Sequence, residues 1–410
     1  MMMYQAYQSH SDLTLPMKEW ARRMAPLLHG AGFGFRQWAL MRGAAAACEV
    51  LALARITHHR PPFRIDSIQA AGHELAVTEE VVLSTPFATL LRFRKDSDVV
   101  QPRVLLVAPM SGHFATLLRD TARTMLPEHD VYITDWHNAR DVPLSAGPFG
   151  LDEYVGHIVE FLEAMGPAAH VVAVCQPCVA ALAAVAIMSE DDHPATPRSL
   201  TLMAGPVDCR INPTRVNELA TSKPMAWFEK NLISPVPLRH PGARRLVYPG
   251  FLQLTAFMNM NLERHITSFR SLYDDIVKGD FARAHATRTF YEEYFAVADL
   301  PAEFYLETVR DVFQEYALAR GTLMVGGRLV DPKAIRRTAL VTIEGEKDDI
   351  CALGQTLAAQ DLCSSLRQYL RTHYVQPGAG HYGVFSGSRW KNSIYPIVRD
   401  VIQPASQARR

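Results

Sequence analysis

Two cysteines three positions apart, Cys175 and Cys178, have the clearest potential for chemistry in this chain. They form the C-x-x-C of HVVAVCQPCV, a spacing found in thioredoxin-type redox centres. The pair follows the apolar run HVVAV and precedes the apolar stretch CVAALAAVAIM, so it lies where a buried strand passes into a buried helix. The spacing alone leaves two interpretations open: a dithiol that exchanges electrons, or one nucleophilic thiol beside a bystander.

A sharp strand-to-helix turn is the geometry of a nucleophile elbow, which holds a reactive side chain above the edge of a sheet. The residues two before and two after the nucleophile must be small or compact, because backbone passes close to them. A nucleophile at Cys175 puts Ala173 and Pro177 at these positions, whereas one at Cys178 puts Gln176 there and moves the thiol into the helix. A helix N-terminus also stabilises a thiolate. The pattern therefore favours Cys175 as the nucleophile.

An activated cysteine needs a base, and the base needs an acid that orients it. In the α/β-hydrolase fold these residues follow the nucleophile in the order acid, then histidine. The acid candidates are Asp348 and Asp349, just beyond the apolar run ALVTIEG, and their spacing leaves both open. The histidine candidate is His381, which ends the glycine-rich segment PGAGH. No metal site is predicted, because the remaining cysteines and histidines lack the short spacing of zinc ligands.

Two backbone N–H groups are expected to stabilise the oxyanion formed during acyl transfer. One belongs to Gln176, and the other to Met110 or Ser111, because Pro109 in the same loop has no N–H. His113 is a candidate for lining the substrate site. A structural role is at least as good an explanation: His113 would stand at the start of a helix and make a hydrogen bond that stabilises the fold.

The elements that must position these residues follow from the hydrophobic pattern. Short, nearly all-apolar runs are typical of strands buried on both faces of a parallel sheet. Segments with helical spacing lie between them, and this alternation predicts a doubly wound α/β sheet. The elbow, followed by the acid and then the histidine, fits the α/β-hydrolase form of that sheet. β structure is predicted at 63–94, a helix near 353–362 and a strand near 368–375. The apolar runs are RVLLVAP (103–109), DVYITDW (130–136), HVVAV (170–174), SLTLMAG (199–205) and ALVTIEG (339–345).

The alternation is interrupted by a long segment rich in aromatic residues and methionine. We predict a mostly helical cap, or lid, over the carboxyl edge of the sheet, where α/β sites form. Its large apolar side chains, such as Trp227 and Phe251, are expected to face the Cys175 cleft and bind substrate. The alternative is a second structural layer that covers nothing reactive. The predicted units are an N-terminal helical segment (1–60), the core (61–208 and 336–410) and the cap (209–335).

Composition excludes several other classes of protein. Lys+Arg and Asp+Glu both number 42, and this balance argues against a nucleic-acid-binding surface. Six cysteines in 410 residues do not make a disulfide scaffold, so free thiols in a reducing compartment are expected. The N-terminus lacks the order of a signal peptide, and Arg42 and Glu49 interrupt the most apolar window. We therefore expect a cytoplasmic protein with no transmembrane segment and no cofactor.

With these residues assembled, the chain resembles the intracellular poly(3-hydroxybutyrate) depolymerases that degrade native polymer granules. The resemblance implies that Cys175, Asp348 and His381 are the catalytic residues, which favours Asp348 over Asp349. It also implies a granule-associated protein whose partner is the polymer or its 3-hydroxybutyrate oligomers. Threonine can stand at the position of Cys178 in this family, which fits a small buried helix residue. The segments that carry the resemblance are 108–126, 130–143, 170–179, 247–253, 309–322, 341–350 and 378–390.

Two other function classes are alternatives to a cysteine-dependent polyester esterase. The related polyester synthases share the cysteine–aspartate–histidine arrangement, but glycines flank their cysteine where this chain has Ala173 and Pro177. An acyltransferase of that kind, or thiolytic transfer of 3-hydroxyacyl units to coenzyme A, would use the same residues. A redox or granule-coating protein without catalysis would need neither the elbow nor His381. The sequence leaves open the length of the polymer's side chains. It also leaves open whether the protein is a monomer or a homodimer.

Overall fold

The structure is a computed structural model that describes residues 2–30, 35–70, 72–260 and 262–407. Two helices, α1 and α2, come before the first strand, and the remaining helices alternate with strands or lie in one long insertion. The α helices are α1 (Met2–Gly30), α2 (Phe35–Leu53), α3 (Arg119–Met125), α4 (Leu151–Met165), α5 (Cys178–Glu190), α6 (Arg215–Thr221), α7 (Met225–Leu232), α8 (Gly250–Met260), α9 (Leu262–Lys278), α10 (Phe281–Tyr294), α11 (Ala302–Glu307), α12 (Ala317–Arg320), α13 (Ala358–Leu362), α14 (Gly387–Arg389) and α15 (Tyr395–Gln407).

The strands belong to one large sheet and two small ones. They are β1 (Ser67–Ala70), β2 (His73–Ser84), β3 (Ala88–Lys95), β4 (Arg103–Val107), β5 (Asp130–Trp136), β6 (His170–Val174), β7 (Ser199–Met203), β8 (Ser234–Pro235), β9 (Leu246–Tyr248), β10 (Leu300–Pro301), β11 (Met324–Val325), β12 (Arg328–Leu329), β13 (Ala339–Gly345) and β14 (Arg371–Gln376). The large sheet has nine strands in the order β1-β2-β3-β5-β4-β6-β7-β13-β14.

The strand directions identify the architecture. β3 pairs antiparallel with β2 and β5, while every pairing from β5 to β14 is parallel. This order, with the crossover at β5-β4 and helices on both faces, is the α/β-hydrolase fold. The prediction of that fold is therefore confirmed. The cause lies in the apolar runs, because every residue of β6, β7 and β13 is buried.

The insertion between β7 and β13 is mostly helical, as predicted. It contains α6 to α12, a three-stranded sheet in the order β10-β9-β8, and the hairpin β11–β12. Part of its aromatic content forms its own core, since Tyr291, Tyr294 and Phe295 are buried together with Leu254. The N-terminal helices are joined to it, because α2 packs against α9. None of the helices described here is long and apolar enough to cross a membrane.

The segment after β13 differs from its predicted structure. A helix was expected near residues 353–362, but α13 begins only at Ala358. The N–H groups of Gly354, Thr356 and Leu357 donate instead to the side chain of Glu344, which is buried at the end of β13. A side-chain acceptor thus takes donors that a helix would have used, and the chain stays irregular.

Candidate active site

Cys175 occupies the turn between β6 and α5. Its φ is 68°, in the left-handed region that a residue with a Cβ seldom adopts. The turn is held by two backbone hydrogen bonds: Cys175 N–H donates to Met203 O at 2.7 Å, and Cys178 N–H donates to Cys175 O at 3.1 Å. The side chain of Cys175 is partly exposed. This strained strand-to-helix turn has the geometry of a nucleophile elbow.

Cys178 has a different environment, although it lies only three residues away. It is fully buried at the start of α5, and its thiol is within reach of the carbonyls of Ala173 at 3.4 Å and Met203 at 3.7 Å. Burial raises the pKa of the Cys178 thiol, and the neighbouring Cys175 raises it further. Both cysteines are free rather than paired in a disulfide. A thiol that stays protonated and has no access to solvent is unsuited to dithiol exchange.

Asp348 lies directly after β13 in a tight local turn. Its Oδ1 accepts the N–H groups of Ile350 and Cys351, both at 2.9 Å, which fixes the orientation of the carboxylate. Its Oδ2 lies 2.8 Å from Nδ1 of His381. The next residue, Asp349, is exposed, so the structure brings Asp348 rather than its neighbour to the histidine.

His381 connects the acid to the thiol. It begins a short 3₁₀ turn after β14 and is buried. Burial acts to lower the pKa of His381, but the charge of Asp348, the charge of Cys175 and hydrogen bonds to both side chains outweigh burial and hold the pKa well above its usual value. The imidazole is therefore hydrogen-bonded to a carboxylate through Nδ1 and interacts electrostatically with Cys175. Such an arrangement can move a proton between a thiol and a reacting group.

The loop after β4 contains the other predicted oxyanion donors. Met110 N–H donates to Oε1 of Gln176 at 3.2 Å, so the side chain of the residue after Cys175 occupies one of these donors. Among the described residues, no hydrogen-bond partner is found for the backbone N–H of Gln176. Ser111 lies beside Met110 and is partly exposed. The side-chain oxygen of Gln176 thus occupies the Met110 N–H, and the oxyanion role of these groups stays a prediction.

The three predicted substrate-binding residues lie in different environments. His113 is buried, and its Nε2 is 3.2 Å from the carbonyl of Tyr294, which corresponds to the structural alternative for this residue. Phe251 is also buried: its ring stacks on Tyr7 of α1 with centroids 3.8 Å apart. Trp227, on α7, is partly exposed. Only Trp227 of the three therefore presents part of its ring to solvent.

One family of known proteins matches part of this chain. Residues 204–406 match the family model described as the PHB de-polymerase C-terminus. The chain belongs to the PHB depolymerase family. The matched region of this family member includes Asp348 and His381, whereas Cys175 lies before it. No curated protein matches the chain significantly.

Two solved structures similar to this PHB depolymerase family member have low sequence identity to it. A putative lipase from Acinetobacter baumannii AYE is 14% identical, with a TM-score of 0.43 over 80% of this chain and 93% of the lipase. The 2-hydroxy-6-oxo-6-phenylhexa-2,4-dienoate hydrolase of Rhodococcus sp. strain RHA1 is 15% identical, with a TM-score of 0.45 over 80% of this chain and 99% of that enzyme. Similarity this distant carries no substrate over to the present chain.

Sequence reasoning missed two residues that shape the site, Glu344 and Thr356. Glu344 was visible as a single carboxylate inside the otherwise apolar run ALVTIEG, and a charge there is unusual for a strand buried on both faces. Thr356 had no comparable signal. No cluster of three metal-ligating side chains was found among the described residues.

Proposed function

We propose that this member of the PHB depolymerase family hydrolyses the ester bonds of poly(3-hydroxybutyrate) through a thioester on Cys175. The observation that carries the proposal is the position of His381, which is hydrogen-bonded to Asp348 and lies close enough to Cys175 for the two side chains to interact electrostatically. A buried histidine with these two partners can take the thiol proton and remain oriented as its charge develops. Family membership supplies the polyester as the substrate class.

The proposed reaction has two halves that use the same groups. The thiolate of Cys175 attacks the ester carbonyl. The oxyanion displaces the Gln176 side chain from the Met110 N–H and is stabilised by that group and by the N–H of Gln176. The intermediate collapses, the C–O bond breaks, and His381 gives its proton to the departing hydroxyl end of the polymer. A water molecule, deprotonated by His381, then attacks the thioester, and the released sulfur takes the proton back. The products are a shortened polymer and a 3-hydroxy acid or its oligomer.

The cap is proposed to present apolar surface to the insoluble polymer. Aromatic side chains suit this task because they bury area without demanding hydrogen-bond partners. Trp227 is the residue of the predicted set whose partial exposure supports such a role. Association with polymer granules stays a prediction.

The test is to incubate the pure protein with amorphous poly(3-hydroxybutyrate), with and without coenzyme A, and to identify the soluble products. Free 3-hydroxybutyrate or its oligomers without coenzyme A, and none from a Cys175→Ala variant, would support hydrolysis. Products that appear only with coenzyme A, as thioesters, would instead support acyl transfer to a thiol. Release by Cys175→Ala equal to that of the unmodified protein would contradict the proposed nucleophile.

A further inference from the structure

The carboxylate of Glu344 is a buried group for which the proposed reaction has no use. It lies at the end of β13 with only 1% of its side-chain surface exposed. Its Oε1 accepts N–H groups from Gly354 at 2.9 Å, Thr356 at 2.8 Å and Leu357 at 3.0 Å, and its Oε2 accepts Gly354 at 3.0 Å. Burying a carboxylate is costly unless it is hydrogen-bonded, and here backbone donors surround it.

These bonds tie down the segment that follows Asp348. Residues 349–357 leave the sheet after the acid and return to Glu344, so the loop is closed at both ends. At its near end, Asp348 accepts two N–H groups of the same loop, at Ile350 and Cys351. At its far end, Glu344 holds residues 354–357. The acid and the Glu344 carboxylate thus accept hydrogen bonds from opposite ends of the same loop.

Thr356 extends the same network to the nucleophile. Its buried hydroxyl donates to Gly205 O at 3.0 Å and accepts Gly205 N–H at 2.8 Å. Gly205 in turn lies directly against the elbow: a Cβ placed on it would be 2.2 Å from Sγ of Cys178 and 3.0 Å from the carbonyl of Cys175. The contacts thus run without interruption from Glu344 through Thr356 and Gly205 to the turn that carries Cys175.

We propose that Glu344 and Thr356 are positioning residues that fix the acid loop of Asp348 against the nucleophile elbow of Cys175. Neither touches a reacting atom. Glu344 acts by supplying one acceptor to several backbone donors, and Thr356 acts by bonding both polar groups of Gly205. The inference rests on the proposed function, because it assumes that Cys175 and Asp348 do the chemistry.

The Glu344 test uses two variants and a matched control on a soluble 3-hydroxybutyrate ester. Glu344→Ala removes every acceptor, and we expect kcat to fall by about 10- to 100-fold with KM little changed, since small misplacements of catalytic groups have effects of this size. Glu344→Gln keeps one oxygen and should lose less. The control is Val341→Ala, a buried change on the same strand that destabilises β13 without touching the loop.

A pH profile separates positioning from a general loss of stability. If the loop no longer holds Asp348, burial should lower the pKa of His381. The limb of the kcat–pH profile that belongs to His381 should then move to lower pH in Glu344→Ala but not in Val341→Ala. A parallel comparison of Thr356→Val with Thr356→Ser should show loss of kcat in the first and recovery in the second. Melting temperatures of all five variants report the folded fraction.

Two outcomes would overturn the inference, and each differs from failure of the proposed function. Glu344→Ala could match Val341→Ala in both kcat per folded molecule and pH profile, or Thr356→Val could retain full kcat. Cys175→Ala is measured alongside, because an active Cys175→Ala would reject the proposed chemistry whatever the Glu344 variants do. An inactive Cys175→Ala with unaffected Glu344 and Thr356 variants would reject the positioning role alone.

Discussion

His381 and Asp348 form a buried pair in which Nδ1 of the histidine lies 2.8 Å from Oδ2 of the aspartate. Replacing Asp348 by Asn keeps the shape but removes the charge that favours the imidazolium. We expect Asp348→Asn to fold and to lose about 10⁴-fold in kcat, as in other triads whose aspartate is neutralised. Asp349→Asn is the matched control, because its carboxylate is exposed and should matter little. Greater loss in Asp349→Asn would reverse the assignment of the acid.

The raised pKa of His381 predicts how stability depends on pH. A histidine whose pKa rises on folding contributes stability that is fully present below its unfolded value of about 6.5 and is lost as pH rises through the folded value. The difference in free energy of unfolding between the unmodified protein and His381→Gln should therefore be largest at about pH 6 and shrink at higher pH. Urea titrations across this range measure it. A difference that grows with pH would contradict the direction of the shift.

The two cysteines should respond oppositely to substitution. Cys175→Ala should abolish turnover, because the strained elbow then presents no nucleophile. Cys178→Ala should keep most activity and lose about 1–2 kcal/mol of stability, since the buried sulfur only fills space at the start of α5. Ester hydrolysis and thermal melts on both variants check this. An inactive Cys178→Ala beside an active Cys175→Ala would show that the elbow was assigned to the wrong residue.

Gln176 should restrain the oxyanion donor that it occupies. Gln176→Ala frees the Met110 N–H, and we expect kcat/KM to rise by about 2- to 10-fold, the worth of one neutral hydrogen bond. Gln176→Glu places a stronger acceptor there, so kcat/KM should fall at neutral pH and recover as the new carboxyl protonates at acidic pH. A lower kcat/KM in Gln176→Ala would mean that the side chain supports the loop instead.

Two cap aromatics should separate polymer binding from structure. Phe251 is buried against Tyr7 and Tyr4, so Phe251→Ala should cost about 3–5 kcal/mol of stability and reduce activity equally on all substrates. Trp227→Ala should reduce activity on amorphous polymer and spare soluble short esters, because its ring is partly exposed. Rates on both substrates, with melting temperatures, test this. Equal losses on both substrates in Trp227→Ala would reject the docking role.

The fold could be predicted because its core strands carry an unambiguous signal. Strands β4, β6, β7 and β13 are short apolar runs, and burial on both faces is the only simple way to accommodate them. The strand-to-helix turn at Cys175 could also be located from sequence, since only a few residues separate the buried strand from the buried helix, while the role of Cys175 as nucleophile stays a prediction. Local sequence patterns therefore predict the class of fold and the neighbourhood of the site.

The finer details of the site depend on contacts between distant segments, which local patterns do not record. Spacing could not separate Asp348 from Asp349, because adjacent residues differ only in the direction that a folded turn gives them. The burial of Phe251 depends on α1, which lies far from it in sequence, at the N-terminal end of the chain. The irregular segment before α13 depends on Glu344, whose side chain takes donors that a helix would otherwise use.

Strands β7 and β13 are neighbours in the sheet, yet residues 204–338 separate them along the chain. During synthesis the open edge of β7 must therefore wait, unpaired, until the whole cap segment and β13 have left the ribosome. An unpaired, apolar strand edge is a template for association with other chains. A nascent chain arrested before residue 339 would already carry Cys175 but would present this edge to its neighbours. The insertion therefore exposes the chain to association with its neighbours during translation.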